Sequence, residues 1–270
     1  MRYLELAPAP PLDELVHCFW FLTGDGTEPA QRVVPDGRVE LIIHRGEPFS
    51  RVDERGNALP QAAALVAGQL TAPIRLSPRG TVDVAGVRFR SAGARSVVGL
   101  PLDELAGRVD ALNEVRPALA AALQRAAALE RSPAACAAAF AGVLCGFVRA
   151  EPPRLVRAAV RALGATRSGS VGAIARDLGT TARTLERQLP AEVGLSPKLL
   201  QRVLRFRRAF RILDSTSPGL WGSVAVAAGY YDQAHMIREF RGFAGAPPTA
   251  FFHVDPGLAR AFVGANGSAA

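Results

Sequence analysis

The sequence predicts an α+β chain made of two unlike parts. A β-rich amino-terminal half, folded as a barrel or sandwich with helices attached, precedes an all-α carboxy-terminal half. The latter holds two helix-turn-helix units joined by a connecting helix. Three observations predict this. The apolar residues of the first ~100 positions alternate at the strand period, whereas those after Pro101 recur at the helix period. The layout of short helix, Gly turn and longer helix occurs twice after residue 165. Charge is segregated: residues 1–150 carry 16 basic and 16 acidic groups, residues 151–270 carry 16 and 8, and the whole net charge of +8 lies in the second part.

The strands come first. In "RVVPDGRVELIIH" a turn at Pro35-Asp36-Gly37 leads into Val39, Leu41 and Ile43. "GTVDVAGVRFR" repeats the pattern with Val82, Val84, Val87 and Phe89, and Gly86 is expected to break it as a bulge or turn. "VHCFWFLTG", apolar on both faces, reads as a central strand. The expected divisions are 1–100 as a β-rich sensing or dimerisation unit, 101–150 as its helical segment, 151–166 as a linker, 167–253 as the paired helical unit, and 254–270 as a flexible tail. "PLDEL" at 11–15 and again at 101–105 reads as two helix starts, and Ser132-Pro133 as an N-cap followed by a first helical residue. "EPPRL" at 151–155 marks a boundary, since two prolines cannot continue a helix.

In the first unit Ser170 caps a helix carrying Val171, Ile174 and Leu178, Gly179 ends it, and Thr181 caps the next. In the second, Ser217-Pro218 opens the short helix, Gly229 closes it and Asp232 caps its successor. Between them "SPKLLQRVLRFRRAFRILDS" carries an apolar stripe of Leu199, Val203, Phe206, Phe210 and Leu213. Lys198, Arg202, Arg205, Arg208 and Arg211 run along another side. That helix is roughly 25 Å long at ~1.5 Å per residue, most of the ~34 Å that separates successive major grooves on one face of a duplex.

Charge and composition narrow the function. A neutral module joined to a basic one suits contact with a polyanion; arginine enrichment along the whole chain would not deplete the acids of one half. No apolar run approaches ~20 residues, so no membrane span is expected. The amino terminus lacks the layout of a secretory signal, and Cys18, Cys136 and Cys145 form no disulfide framework, which together predict a cytoplasmic protein. Cys136 and Cys145, nine residues apart, should face opposite sides of one helix. Four histidines (His17, His44, His235, His253) fall into no metal-ligand spacing, and His17 and Cys18 should point to opposite strand faces. No catalytic residue, metal or cofactor is predicted, and no phosphate-cradling or nucleophile-elbow motif is present.

The phrases "IARDLGTTARTLERQL", "VGLSPKLLQRVLRFRRA" and "AGYYDQAHMIREFRGFAGAPPTAF" resemble the DNA-binding domain of the AraC/XylS family of bacterial transcriptional regulators, over residues ~167–252. "VVPDGRVELIIH" and "GVRFRSAGARSVVGL" resemble an uncharacterised cupin-like domain that precedes this tail in some members. The resemblance implies a sequence-specific regulator of double-stranded DNA. Its amino-terminal module would bind a small-molecule effector, a second copy of the chain, or both.

Helical geometry puts Met236 and Phe240 inward, with Gln233, Ala234, Ile237 and Arg238 outward and His235 at the edge. Gln pairs bidentately with adenine and Arg with guanine, while Ala or Ile meets a thymine methyl. In the first unit Leu185 and Leu189 face inward, leaving Arg183, Glu186 and Arg187 for bases, with Glu186 either accepting from cytosine or orienting Arg187 or Arg183. Thr181, Thr184, Lys198, Arg202, Arg205 and Arg241 are expected on the DNA backbone. Pro190 stands where the family has a basic residue and predicts an early end to the first reading helix; Leu199-Leu200 and Pro247 are further departures. Two other readings are a DNA-repair or thiol-sensing protein with this tail, which needs a reactive cysteine, and a non-specific coating protein, which needs no base discrimination.

Overall fold

The computed structural model describes residues 1–166, 169–215, 221–254 and 257–264. Ten strands form two facing sheets. They are β1 (Arg2–Leu6), β2 (Val16–Gly24), β3 (Gln31–Val33), β4 (Glu40–His44), β5 (Ser50–Val52), β6 (Ala58–Pro60), β7 (Ala64–Ala67), β8 (Ile74–Ser77), β9 (Val82–Phe89) and β10 (Val109–Ala111). The larger sheet runs β1-β2-β9-β4-β7-β10, the smaller β3-β8-β5-β6, and every pairing is antiparallel. β2, expected as a central strand, is paired on both sides but stands second from the edge; β9 and β4 hold the centre.

Gly86 corrects an expectation. It forms neither bulge nor turn but pairs in register with both Trp20 and Ile42. The Trp20 indole lies across its backbone, and a Cβ there would come within 2.1 Å of the ring. The irregularity falls instead between Val16 and Cys18.

Both copies of "PLDEL" form single 3₁₀ turns, Leu12–Glu14 and Leu102–Leu105, rather than helix starts; each plants a leucine in the barrel core. The helices attached to the barrel are α1 (Ala94–Val98), α2 (Leu112–Val115), α3 (Pro117–Leu129) and α4 (Pro133–Phe147). Ser132 caps α4, its Oγ accepting from the Ala135 N–H at 3.2 Å. On α4 Cys136 is buried and Cys145 exposed, the opposite faces that their spacing demands.

The carboxy-terminal helices are α5 (Arg154–Leu163), α6 (Val171–Asp177), α7 (Ala182–Val193), α8 (Pro197–Asp214), α9 (Trp221–Ala228), α10 (Gln233–Ala244) and α11 (Pro248–His253). α5 occupies most of the stretch expected as a linker. Val156, Ala159 and Leu163 recur at helical spacing and enter the same core as α6–α10, so the prolines before it mark a helix start. α8 runs through the middle. Phe206 and Phe210 meet Phe240 of α10 at 5.2 and 6.3 Å between ring centroids, each buried ring stabilising the core by ~1.5–3 kcal/mol.

The expected tail is likewise ordered in part. A short helix α12 (Gly257–Ala259) and a wide helical turn (Arg260–Gly264) lie against the barrel, with Leu258 and Phe262 in one apolar cluster with Trp20. Ordering wins over the expected flexibility because these two side chains are buried.

The two modules share surfaces. Val34 and Ala92 belong to the core of the helical half. The Arg207 guanidinium donates to the Asp36 carbonyl at 3.1 Å. Arg95 pairs with Glu192 of α7 at 2.5 Å. No helix among the described residues is long and apolar enough to cross a membrane.

Candidate nucleic-acid interface

The first unit is built by two caps and a turn. Ser170 Oγ accepts from the Ala173 N–H at 3.2 Å, and Thr181 Oγ1 from the Thr184 N–H at 3.1 Å. Gly179 turns the chain at φ +66°, a conformation that costs a residue bearing a Cβ about 1 kcal/mol or more. The small Ala175, 1% exposed, lets α6 and α7 approach closely. Leu185 and Leu189 are fully buried, and Arg183, Glu186 and Arg187 are exposed, all as their helical positions require. Thr181 and Thr184 share a hydroxyl contact of 2.9 Å, so both carry capping duty beside any phosphate contact.

α7 does not end at Pro190. It continues to Val193, where Gly194 closes it at φ +91°. Proline cannot donate to the Glu186 carbonyl, but Glu186 sits on the exposed side of α7, where an unpaired carbonyl costs little.

The second unit repeats the device fifty residues on. Gly229 turns at φ +88°, and Tyr230 N–H donates to the Ala225 carbonyl at 2.8 Å, as Thr180 N–H does to Ala175 at 2.9 Å. Asp232 Oδ1 accepts from the His235 N–H at 2.7 Å. The expected opening at Ser217-Pro218 lies outside the described residues. Met236 and Phe240 are fully buried; Gln233, Ala234 and Arg238 are exposed, and Ile237 is half-buried. Arg241, in the last turn, is also exposed.

Glu239 is the residue that reading of the sequence missed. Its carboxylate is 9% exposed and receives Arg202 Nε at 2.6 Å and an Arg205 guanidinium nitrogen at 2.9 Å. Arg202 also lies over Phe243 and Arg205 over Tyr230, at 5.4 and 4.8 Å from the ring centroids. Arg202 and Arg205, expected on the DNA backbone, thus neutralise a buried carboxylate between α8 and α10 while their side chains stay 43% and 22% exposed. His235 sits at the edge of the outward face, its Nε2 at 3.8 Å from Glu239 and its ring edge-on to Tyr230. Arg208 donates to the Ala228 carbonyl at 2.9 Å and to that of Gly164, closing the ends of α9 and α5. A partial signal exists: Glu239 lies three residues after Met236, so the helical period places an acid on the inner side of α10 without naming its partners. Lys198 alone of the expected α8 cations is exposed outright.

No catalytic array emerges among the described residues. The bulge at His17 turns its ring toward Cys18 and Glu5, and the three ligand atoms lie within 4.8 Å of one another, not on opposite faces. A dication is poorly served there. Glu5 already accepts from Arg88 at 2.9 Å and from Tyr3 at 2.5 Å. Burial, with Arg38, Arg88, Arg90 and Arg207 nearby, pulls His17 down to about 3. Burial pushes the Cys18 thiol up to about 12 and raises Cys136 as well, so neither is a ready thiolate.

Residues 174–253 match the family model described as a helix-turn-helix domain, and residues 4–109 match one described as "Domain of unknown function (DUF6597)". No curated protein matches the chain. Among solved structures, ToxT from Vibrio cholerae overlays at TM-score 0.49 and 10% identity, covering 86% of this chain and 98% of that one. Wild-type ToxT from strain SCE256, bound to an unsaturated fatty acid, gives 0.48 and 10% over 92% and 94%. An AraC-type DNA-binding domain-containing transcriptional regulator from Chromobacterium violaceum gives 0.31 and 25% over 42% and 95%. Overlays this loose carry no weight for the present chain. The helix-turn-helix match does, because it falls on the two capped, solvent-facing units. Residues 174–253 form an AraC-type helix-turn-helix domain, and a DNA-binding role for the chain follows from it.

Proposed function

We propose that the chain regulates transcription by laying α7 and α10 in successive major-groove segments, reading sequence at both. The observation that supports this is the matched pair of outward faces: Arg183, Glu186 and Arg187 on one helix, and Gln233, Ala234, Ile237 and Arg238 on the other. All but Ile237 are exposed. Arg238 suits a guanine and Gln233 an adenine, while Ala234 and Ile237 suit thymine methyls. Thr181, Thr184, Lys198 and Arg241 border these faces and serve the phosphates. His235, Arg202 and Arg205 act from behind, fixing α10 against α8 through Glu239.

The amino-terminal barrel serves this regulator as its sensor. A cavity of about 60 Å³ lies between the two sheets, lined by Trp20, Ile42, His44 and Phe49 among others. The role is binding rather than catalysis, and self-association of the same module is an additional route to paired DNA sites. The test is a competition titration of the full chain between a selected genomic site and random duplex. A specificity ratio of ~10³ or more is expected; equal affinity for the two would leave only a coating protein.

A further inference from the structure

The segment 257–264 takes no part in the DNA-facing surface. After α11 it packs into both halves, Ala259 and Val263 entering the helical core and Leu258 and Phe262 the barrel. Leu258 and Phe262 are 3% and 9% exposed, in a cluster with Trp20, Leu22, Phe49 and Val84. The Phe262 ring lies 5.2 Å from that of Trp20 and 5.7 Å from that of Tyr3, with the Arg88 guanidinium 4.8 Å from its centroid. Polar fastenings also hold the segment. The Leu258 N–H donates to Gln31 Oε1 at 2.7 Å, and Arg260 Nε donates to both carboxylate oxygens of Asp214, at 2.9 and 3.0 Å. Asp214 is the last residue of α8.

The cavity beside Phe262 holds polar groups that nothing satisfies. Trp20 Nε1 and both ring nitrogens of His44 are buried without a hydrogen-bond partner among the described residues. Burial lowers His44 to about 4, so its ring is neutral and offers one donor and one acceptor. Arg88 is matched by Glu5 and Glu40, at 2.9 and 2.5 Å, with Asp36 at 3.9 Å, and Arg38, which also lines the cavity, has Asp36 as its neighbouring opposite charge; two guanidiniums thus meet three carboxylates, and no net positive charge awaits an anion.

We infer that 257–264 is a built-in occupant of the barrel cavity, its Phe262 ring holding the place of an uncharged, single-ring aromatic ligand that bears a hydroxyl or carbonyl group. The inference rests on the sensor reading above and gives that sensor a ligand class and a route to the DNA-binding half. A space of about 60 Å³ admits water but no ring, since a benzene-sized hole is ~150 Å³. A ring gains room only where Phe262 withdraws, into a setting already made of aromatic faces and a guanidinium. Its polar substituent then meets the unpartnered Trp20 and His44 groups. Withdrawal parts Arg260 from Asp214, so cavity occupancy is felt at the end of the helix that spaces the two reading helices.

The test titrates p-cresol into the full-length protein, with tryptophan fluorescence and calorimetry as readouts, for wild type, Phe262→Ala and Arg260→Ala. Both variants should bind at least about fivefold tighter than wild type, because apparent affinity scales with the fraction of chains whose cavity is open. Benzoate, the same ring with a full charge, should bind none of them measurably. Arg260→Ala leaves the core untouched and keeps the experiment decisive if Phe262→Ala fails to fold. Equal affinity in all three proteins, or binding to none, overturns the inference; benzoate binding more tightly than p-cresol overturns the ligand class. No DNA is present, so failure here leaves the groove-reading proposal standing, and failure of base discrimination leaves the titration standing.

Discussion

At the scale of single residues, charge on α8 and α10 is partitioned by burial. Arg238 is exposed and paired with nothing among the described residues that would hold it from a base edge, so Arg238→Ala should cost ~1–3 kcal/mol in specific binding and relax preference at one base pair. Competition against duplexes altered at single positions checks this; uniform weakening would make Arg238 a phosphate contact. Glu239→Gln should act in the opposite sense. Relieved of their carboxylate, Arg202 and Arg205 become available to phosphates, steepening the salt dependence of random-DNA binding by up to ~2 units. Thermal unfolding of the same variant should show a loss of ~1–3 kcal/mol. Arg88 is the corresponding case in the barrel: 0% exposed, it bridges Glu5 on β1 and Glu40 on β4. Arg88→Ala strands two carboxylates and should destabilise by ~3–5 kcal/mol in denaturant titration. Neither network was foreseen. Reading by helical or strand period sorts residues by face, and a charge on an inner face declares itself only when its partner arrives from a distant strand or helix.

At the scale of elements, the two turns are near-copies with unequal surroundings. A Cβ on Gly229 would meet the Thr166 carbonyl at 2.6 Å, while one on Gly179 would meet nothing within 4 Å. Both glycines have positive φ. Gly179→Ala should therefore cost ~1 kcal/mol of backbone strain alone, and Gly229→Ala measurably more, comparing unfolding midpoints of the two variants. The caps and turns of this half were legible because each depends on neighbours within four residues. Ser170, Gly179, Thr181, Gly229 and Asp232 all act where the sequence places them. Gly86 was misread for the complementary reason: what makes it necessary is the Trp20 indole, sixty-six positions earlier. The helix α5 was hidden behind two prolines that mark a start as readily as a stop. The tail after α11 was hidden because its anchors, Trp20 and Gln31, lie near the other end of the chain.

For the whole molecule, pH reaches stability through the barrel. Burial lowers His44 to about 4 and, with neighbouring arginines, His17 to about 3, against an ordinary 6.5. Each is buried neutral, so the unfolded chain binds the proton first as pH falls. The stabilisation is whole above about 6.5 and is lost as pH drops through the folded values, with a limiting slope of ~1.4 kcal/mol per pH unit for each group. Unfolding titrations between pH 7 and 4 should show His44→Phe losing less stability over this window than wild type. An identical decline would place the sensitivity in other groups. The architecture as a whole was legible as two unlike halves, yet their mutual dependence was not.

That dependence has a consequence for dissection. Val34 and Ala92 complete the interior of the helical half, while Leu258 and Phe262 complete that of the barrel. Severing the chain at the proline pair would therefore leave each fragment with an unsealed wound whose dressing had gone with the other. Such fragments should be sticky and poorly behaved when expressed singly, and they should recover when the two are produced together.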